Sequence, residues 1–410
     1  MELLVTVQIA GEDVPAGRLF QNVRNGAETA SFSYSEAYLA HPGAFALSPD
    51  MPLSRGSFHS EGLRDLRAFE DCMPDRWGRN LLMRAERNEA LRERRAARSL
   101  FECDMLAGVG DETRHGAVRI WGPDGLRALA PSNQGAPREV SVLQLLEEAD
   151  LAATDMDADV RDLVAAGSSL GGARPKASVR GERGALCIAK FPKVDESAID
   201  DVCAWEHVSL QLMERAGIVV PASRLLRVSG RSVLLLERFD RIGDTRVPYL
   251  SGLSAIQGDD GGRYSYLDLV EFLEEEGAAP DDDIPELWKR ALFTCAIGNT
   301  DNHMRNQGLL RDVNGWRLSP AFDVNPTKGD QSKYLASAVG FDDARADPST
   351  CLEVCEYYRV SARAAKRVAR DMALVLSDWQ KAASSNGISK ASIDAMASCF
   401  ESGIDRLRTL

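Results

Sequence analysis

The chain has no excess of basic charge, no cysteine framework, no long apolar run and no internal repeat, and each absence removes a class of protein. Its 49 Lys and Arg are outnumbered by 62 Asp and Glu, for a formal net charge of −13. That balance argues against a protein whose whole surface grips nucleic acid. Eight cysteines lie scattered through 410 residues. The only close pair, Cys351 and Cys355, has neither a second pair nor a neighbouring His to complete a zinc site. Reduced thiols in a cytoplasmic compartment are the expectation. The opening MELLVTVQIAGEDV lacks a basic n-region and a long apolar core, so neither a signal peptide nor a membrane span is expected. The one strongly basic stretch, Arg84 to Arg98, interleaves Arg with Glu and Ala. It reads as a solvated helix face with i,i+4 pairing, contact with an anionic partner being the alternative.

What is present is the material of a folded protein: 44% apolar residues, 27% charged and six Trp. The length exceeds what one hydrophobic core usually serves, so two or three domains or lobes are expected. Residues 1 to about 60 read as short strands separated by Gly, Pro and Asn turns. A helical pattern follows from Asp75 to Leu106, and GAVRIWGPDG from Gly116 looks like a strand entering a turn. PSNQGAP at 131–137 is the best linker candidate. Two helical stretches then precede the glycine-rich GSSLGGARPKA, a strand at ALCIAKF, a helix from about Ala198 to Ala216, and strands at SRLLRV and SVLLLERF. From Tyr266 onward helices dominate, the last two expected near 360–385 and 390–408. The expected class is α+β, with domains at 1–135, 136–245 and 246–410.

Phosphoryl transfer asks a protein for positioning and charge neutralisation: a phosphate cover, a Lys, oxygen ligands for Mg²⁺ and a carboxylate to orient the hydroxyl nucleophile. Asp301-x-x-x-x-Asn306 has the spacing of a kinase catalytic loop, with Asp301 as base and Asn306 as metal ligand. Asp323, seventeen positions further on after a strand-turn pattern, would be the second oxygen ligand. Upstream, Gly167-Ser168-Ser169-Leu170-Gly171-Gly172 offers backbone N–H groups for phosphates without Walker spacing. Lys190 ends the apolar strand LCIAK and could reach the α- and β-phosphates. Glu206 on the next helix could pair with it, Asp200 or Asp201 competing. LLLERFD places Glu237 and Phe239 where adenine would need backbone hydrogen bonds and an apolar slot. Any one of these signals also fits an ordinary turn, cap or surface charge, but all of them stand in kinase order.

These residues resemble the HipA family of bacterial serine/threonine kinases, the toxins of type II toxin-antitoxin modules. The resemblance runs through FEDCMPDRWGRNLL, SSLGGARPKAS, LCIAKFP, LLERFDR, GGRYSYLDL, GNTDNHMRNQGLL and SPAFDVNP. It implies a two-lobed, protein-kinase-like fold with a small N-terminal β-rich subdomain and a helical C-terminal lobe. It also implies ATP and Mg²⁺ as cofactors, an aminoacyl-tRNA synthetase as protein substrate, and a HipB-like antitoxin through which alone DNA would be met. His303 would be a catalytic-loop partner of Asp301, and Lys176 would lie on the phosphate-covering loop with Ser169, Gly171 and Gly172. Autophosphorylation would fall on Ser169, or on Ser168 beside it. Arg174-Pro175 departs from the polar pair usual in that loop, and Pro175 removes a backbone donor. Two other readings fit the same residues: a related kinase with a small-molecule or lipid acceptor, and a catalytically silent module that binds an antitoxin.

Overall fold

The computed structural model describes residues 1–410 apart from 126–135, 138–140, 156–157, 167–173, 198, 330 and 342. Its contacts divide the chain into two compact units. The first comprises Met1–Val194, Val228–Gly230 and Leu235–Leu250; the second comprises Asp195–Arg227, Arg231–Leu234 and Ser251–Leu410. The segments expected as domains 1–135 and 136–245 therefore fall largely into one unit, and the expected linker at 131–137 lies mostly outside the described residues.

The first unit begins with a five-stranded sheet of order β4-β3-β2-β1-β5, formed by β1 (Glu2–Ile9), β2 (Glu12–Arg24), β3 (Ala27–Tyr34), β4 (Phe58–Glu61) and β5 (Val118–Trp121). Alternation in SFSY turns Phe32 and Tyr34 inward while Ser31 and Ser33 stay partly exposed, the period-2 pattern of a half-buried strand. Phe32 meets Tyr34 and Phe69 edge-on at centroid separations of 4.9 and 5.1 Å. Helix α1 (Arg76–Glu93) starts where Asp75 accepts the Gly78 N–H and stops at Arg94, which takes a left-handed φ of 56°. The single helical run expected to Leu106 is thus two helices, the second being Glu102–Gly108. The break follows from Arg95 and Arg98 turning back onto the buried carboxylate of Glu86, whose pKa these partners, Arg95 first, lower to about 2. Arg95 and Arg98 are thereby paired within their own run, but beyond the helix end and not in the i,i+4 pattern expected. Further on, β6 (Lys176–Arg180) pairs antiparallel with β7 (Leu186–Lys190). The polar KASVR hides the first of these strands from a hydrophobicity reading, yet its first four residues are buried.

The second unit is mainly helical: α2 (Val202–Arg215), α3 (Tyr266–Glu276), α4 (Pro280–Ile297), α5 (Ala362–Leu376), α6 (Trp379–Ser385) and α7 (Lys390–Arg408). A capping box starts α3, with Ser265 and Asp268 each satisfying the other's backbone N–H. Pro280 and three aspartates occupy the first turn of α4, where a fixed φ and negative charge suit the helix N-terminus. The helix expected over 360–385 is interrupted at Ser377–Asp378, giving α5 and α6. Trp205, Trp379 and Phe400 stack in the core of this unit, the last two at 4.7 Å. All eight cysteines are free and buried.

Candidate active site

Helix α4 delivers the loop Asp301–Asn306. It ends at Gly298 with a φ of +57°, a left-handed C-cap that calls for glycine. The chain then folds tightly. Asn299 Oδ1 accepts the Asp301 N–H at 3.2 Å, and Asn306 N–H bonds the His303 carbonyl at 2.8 Å across the 3₁₀ turn Met304–Asn306. The Asn306 side chain donates from Nδ2 to the Asp301 carbonyl at 2.7 Å. This bond joins the two ends of the Asp-x-x-x-x-Asn spacing. The Asp301 carboxylate is 81% exposed, with His303 Nε2 at 3.6 Å. Arg305 grips Asp260 through a two-pronged contact of 2.7 and 3.0 Å, which holds the Asp260 carboxyl below its ordinary pKa.

Asn306 and Asp323 line one cleft, together with Tyr266, Asn299, Asn302 and Gln307. Asp323 has a φ of +54°, a conformation that Asp and Asn adopt more readily than other non-glycine residues. The sequence reading missed Asn299, and it missed three further residues of the cleft, Tyr266, Asn302 and Gln307. Asn302 is 1% exposed and spends its whole amide on neighbours. Its Oδ1 accepts from Ala336 N and Ser337 N, and its Nδ2 donates to the Ser337 carbonyl and the Tyr266 hydroxyl. Gln307 donates to the same Tyr266 hydroxyl at 3.1 Å, and burial raises that phenol to about 12. All three stand inside the motifs GGRYSYLDL and GNTDNHMRNQGLL, but spacing alone did not show that they face inward.

The donor set suits a hard cation. Because Asn306 commits its nitrogen to Asp301, its oxygen is the atom that could ligate, and Asp323 is a lining residue of the same cleft. Mg²⁺ characteristically takes one or two protein oxygens and completes its shell with phosphates and water.

The residues expected to bind nucleotide are distributed between the units. Lys190 is the last residue of β7 and 7% exposed, and Lys176 stands directly opposite it as the first residue of β6. Lys176 is therefore on a strand rather than on the glycine-rich loop, its ammonium 3.0 Å from Asp75. Burial of a lysine in a sheet needs such a counter-charge. Ser168, Ser169, Gly171 and Gly172 lie outside the described residues. Glu206, in the second unit, is buried on α2. Its two competitors are engaged otherwise: Asp201 caps α2 and accepts from Ser232, and Asp200 pairs with Lys328.

Glu237 is exposed at the end of the strand Arg231–Glu237, and Phe239 packs its ring near His115 and Tyr249. The residues between and after them form a buried ionic knot that sequence reasoning did not anticipate. Asp240 takes Arg238 and Arg241 on its carboxylate and also accepts the Gly116 N–H at 2.7 Å. Arg238 donates in turn to the Thr113 and Arg114 carbonyls. Burial alone would raise the Asp240 pKa, but the two guanidiniums outweigh it and hold the group ionised. His115, stacked on Tyr249 at 3.8 Å, is pushed by burial down to about 3.

Comparison with known proteins adds an independent line. The HipA N-terminal domain family matches residues 7–120, and the HipA-like C-terminal domain family matches residues 168–384. Y4mE of Sinorhizobium fredii, whose provisional name is kinase, is 26% identical over 166 residues; the alignment spans 37% of this chain and 38% of that protein. The Shewanella oneidensis HipA structure, solved as a complex of HipA, HipB and operator DNA, superposes with a TM-score of 0.67 at 14% identity. That superposition covers 100% of this chain and 99% of the other, so the α+β, kinase-like fold is shared from end to end. With both domain families matched in order, over most of its length, the chain belongs to the HipA family.

Proposed function

We propose that the protein is an ATP- and Mg²⁺-dependent serine/threonine protein kinase and the toxin of a toxin-antitoxin module. The observation that carries the reading is the meeting of Asn306 and Asp323 in one cleft, with the Asn306 side chain bonded to the Asp301 backbone carbonyl. Mg²⁺, when bound by Asn306 and Asp323, neutralises charge on the β- and γ-phosphates. Asp301 orients the acceptor hydroxyl and takes its proton as the oxygen attacks the γ-phosphorus. The bond to the β–γ bridging oxygen breaks, and ADP leaves. A carboxylate 81% exposed suits a hydroxyl that arrives on another protein. In this reading Lys190 supplies positive charge for the phosphates and Glu237 and Phe239 serve the adenine, while in the second unit His303 orients Asp301 and Glu206 is a supporting carboxylate.

The acceptor we propose is a serine of an aminoacyl-tRNA synthetase or another translation component, together with Ser169 or Ser168 of the chain itself. Phosphate on that loop would add about −1.5 to −2 charge where ATP phosphates must sit, silencing the enzyme. A HipB-like antitoxin is the proposed partner and brings DNA indirectly, in keeping with a net charge of −13 and a cytoplasmic location. The test is incubation of the purified chain and a cell lysate with γ-labelled ATP, followed by mass spectrometry. Label in a protein band and on Ser168 or Ser169 is expected. Label confined to small molecules or lipids would favour the other acceptor class.

A further inference from the structure

The segment Val109–Gly116 gathers five guanidiniums, those of Arg114, Arg119, Arg238, Arg241 and Arg246, inside the first unit, and the phosphoryl-transfer reading uses none of them. Asp111 takes Arg119 on both oxygens, at 3.0 and 2.7 Å, and Arg246 at 3.2 Å. Asp240 takes Arg238 and Arg241, and Asp13 meets Arg119 from a part-exposed position. Glu112, the segment's other acid, is occupied by Arg180. Arg114 is left over. It is 1% exposed, and its head makes one hydrogen bond, from Nη2 to the Val109 carbonyl at 2.8 Å. Its Nε and Nη1 are buried with no partner among the described residues, and so is Nη1 of Arg246, itself 8% exposed. The two heads lie within range of mutual repulsion, and both stand near the Cys72 thiol. That thiol gives no counter-charge, because burial pushes it up to about 12, and His115 is neutral. Burial pulls Arg114 down to about 10, which still leaves it charged at neutral pH.

We propose that Arg114 and Arg246 bind a small monovalent inorganic anion, of the chloride class, through Arg114 Nε and Nη1 and Arg246 Nη1. A buried charge needs a counter-charge and a buried donor needs an acceptor, and one such ion supplies both. Guanidinium is weakly hydrated and presents its donors in a rigid fork, so it exchanges water for an anion more readily than an ammonium does. The depth of the site selects for size: with Arg114 1% exposed, a nucleotide, a phosphopeptide or any ligand that must keep part of itself in solvent does not reach these atoms. The bound ion would tie the stretch before β5 to the segment Arg238–Arg246 within the first unit, where Arg238 and Arg241 already donate to the Arg114 carbonyl. The site owes nothing to the kinase reading.

Bromide carries the same charge as chloride on a heavier atom and serves as the probe. Crystals of the whole chain soaked in sodium bromide should show an anomalous peak in contact with Arg114 and Arg246. In solution, sodium chloride is exchanged for sodium gluconate at constant ionic strength while the unfolding midpoint is followed. Wild type should gain about 2–4 °C for each ten-fold rise in chloride beyond the Kd of the site. Arg114→Met should lose that dependence, which a guanidinium serving only to pack would not confer. If Arg114→Met does not fold, Arg246→Gln is read by the same criteria. Absence of a bromide peak at the two arginines overturns the proposal, an ordered water then being what they hold. A peak with no chloride dependence of the midpoint marks an adventitious ion only, and a dependence of equal size in the variant places the effect elsewhere; either result also overturns it.

Discussion

Asn302 stands one residue after the proposed base and four before the proposed metal ligand, and its buried amide ties the catalytic loop to Ala336 and Ser337. Replacing it by Ala strands the Ser337 N–H and carbonyl and leaves Ala336 N–H only its bond to the Thr300 carbonyl, each stranded group costing about 1–3 kcal/mol. Asn302→Ala should therefore lower stability by about 2–4 kcal/mol in urea unfolding, and reduce kcat at least ten-fold through loss of loop geometry. His115 gives a second residue-scale test. Its folded pKa of about 3 lies below the ordinary value near 6.5, so the unfolded chain binds a proton that the folded chain refuses. Stability contributed by the neutral ring is present above pH 6.5 and is lost as pH falls toward 3, by up to about 1.4 kcal/mol per pH unit. His115→Phe keeps an aromatic ring against Tyr249 and should flatten the pH dependence of the unfolding midpoint between pH 6.5 and 4. The same slope in both proteins would contradict the assignment. Asp240 acts in the same direction but in a lower window, its loss beginning only once unfolded carboxylates start to protonate near pH 4.

At the scale of elements, the site depends on where α4 ends and what packs along it. Gly403 on α7 approaches α4 so closely that an added Cβ would stand 1.8 Å from the Ala296 carbonyl oxygen. Backbone cannot yield there as a side-chain tip can. Gly403→Ala should destabilise by about 2–3 kcal/mol and disturb the loop that follows Ile297; thermal unfolding and kcat would both register it. These elements explain what could be read in advance. Asp301 and Asn306 were legible because the loop is local and its spacing is fixed by one tight turn. Asp323 followed from the strand-turn pattern that returns the chain after that loop. Tyr266, Asn302 and Gln307 were not, because their inward orientation depends on residues 336–337, which spacing within the motif does not report. Lys176 was misplaced for a related reason: KASVR has a strand's burial but not a strand's hydrophobicity. The break at Arg94 escaped because propensity favours continuing the helix, while tertiary pairing with Glu86 ends it.

At the scale of the whole molecule, the N-terminal module shares buried charge with β6 and with the segment Arg238–Arg241. Asp75 meets Lys176, and the Arg238–Asp240–Arg241 knot holds the carbonyls and N–H groups of residues 112–116. A boundary near 135 looked natural from its Pro, Gly and Ser, but turn composition is blind to side chains that reach across it. Removing residues 1–125 should therefore not release a working catalytic fragment. It would strip Asp240 and Arg238 of their backbone partners, and the remainder should be insoluble or give no cooperative melt, as gel filtration and calorimetry would show. The central claim is that Asp301, Asn306 and Asp323 form one phosphoryl-transfer site. Its most direct test is single-turnover transfer from γ-labelled ATP with Mg²⁺, comparing wild type with Asp301→Asn and Asp323→Asn. The account predicts label transfer by wild type, suppressed at least a hundred-fold in both variants, with analogue binding retained in Asp301→Asn. Transfer by Asp301→Asn at the wild-type rate would contradict it.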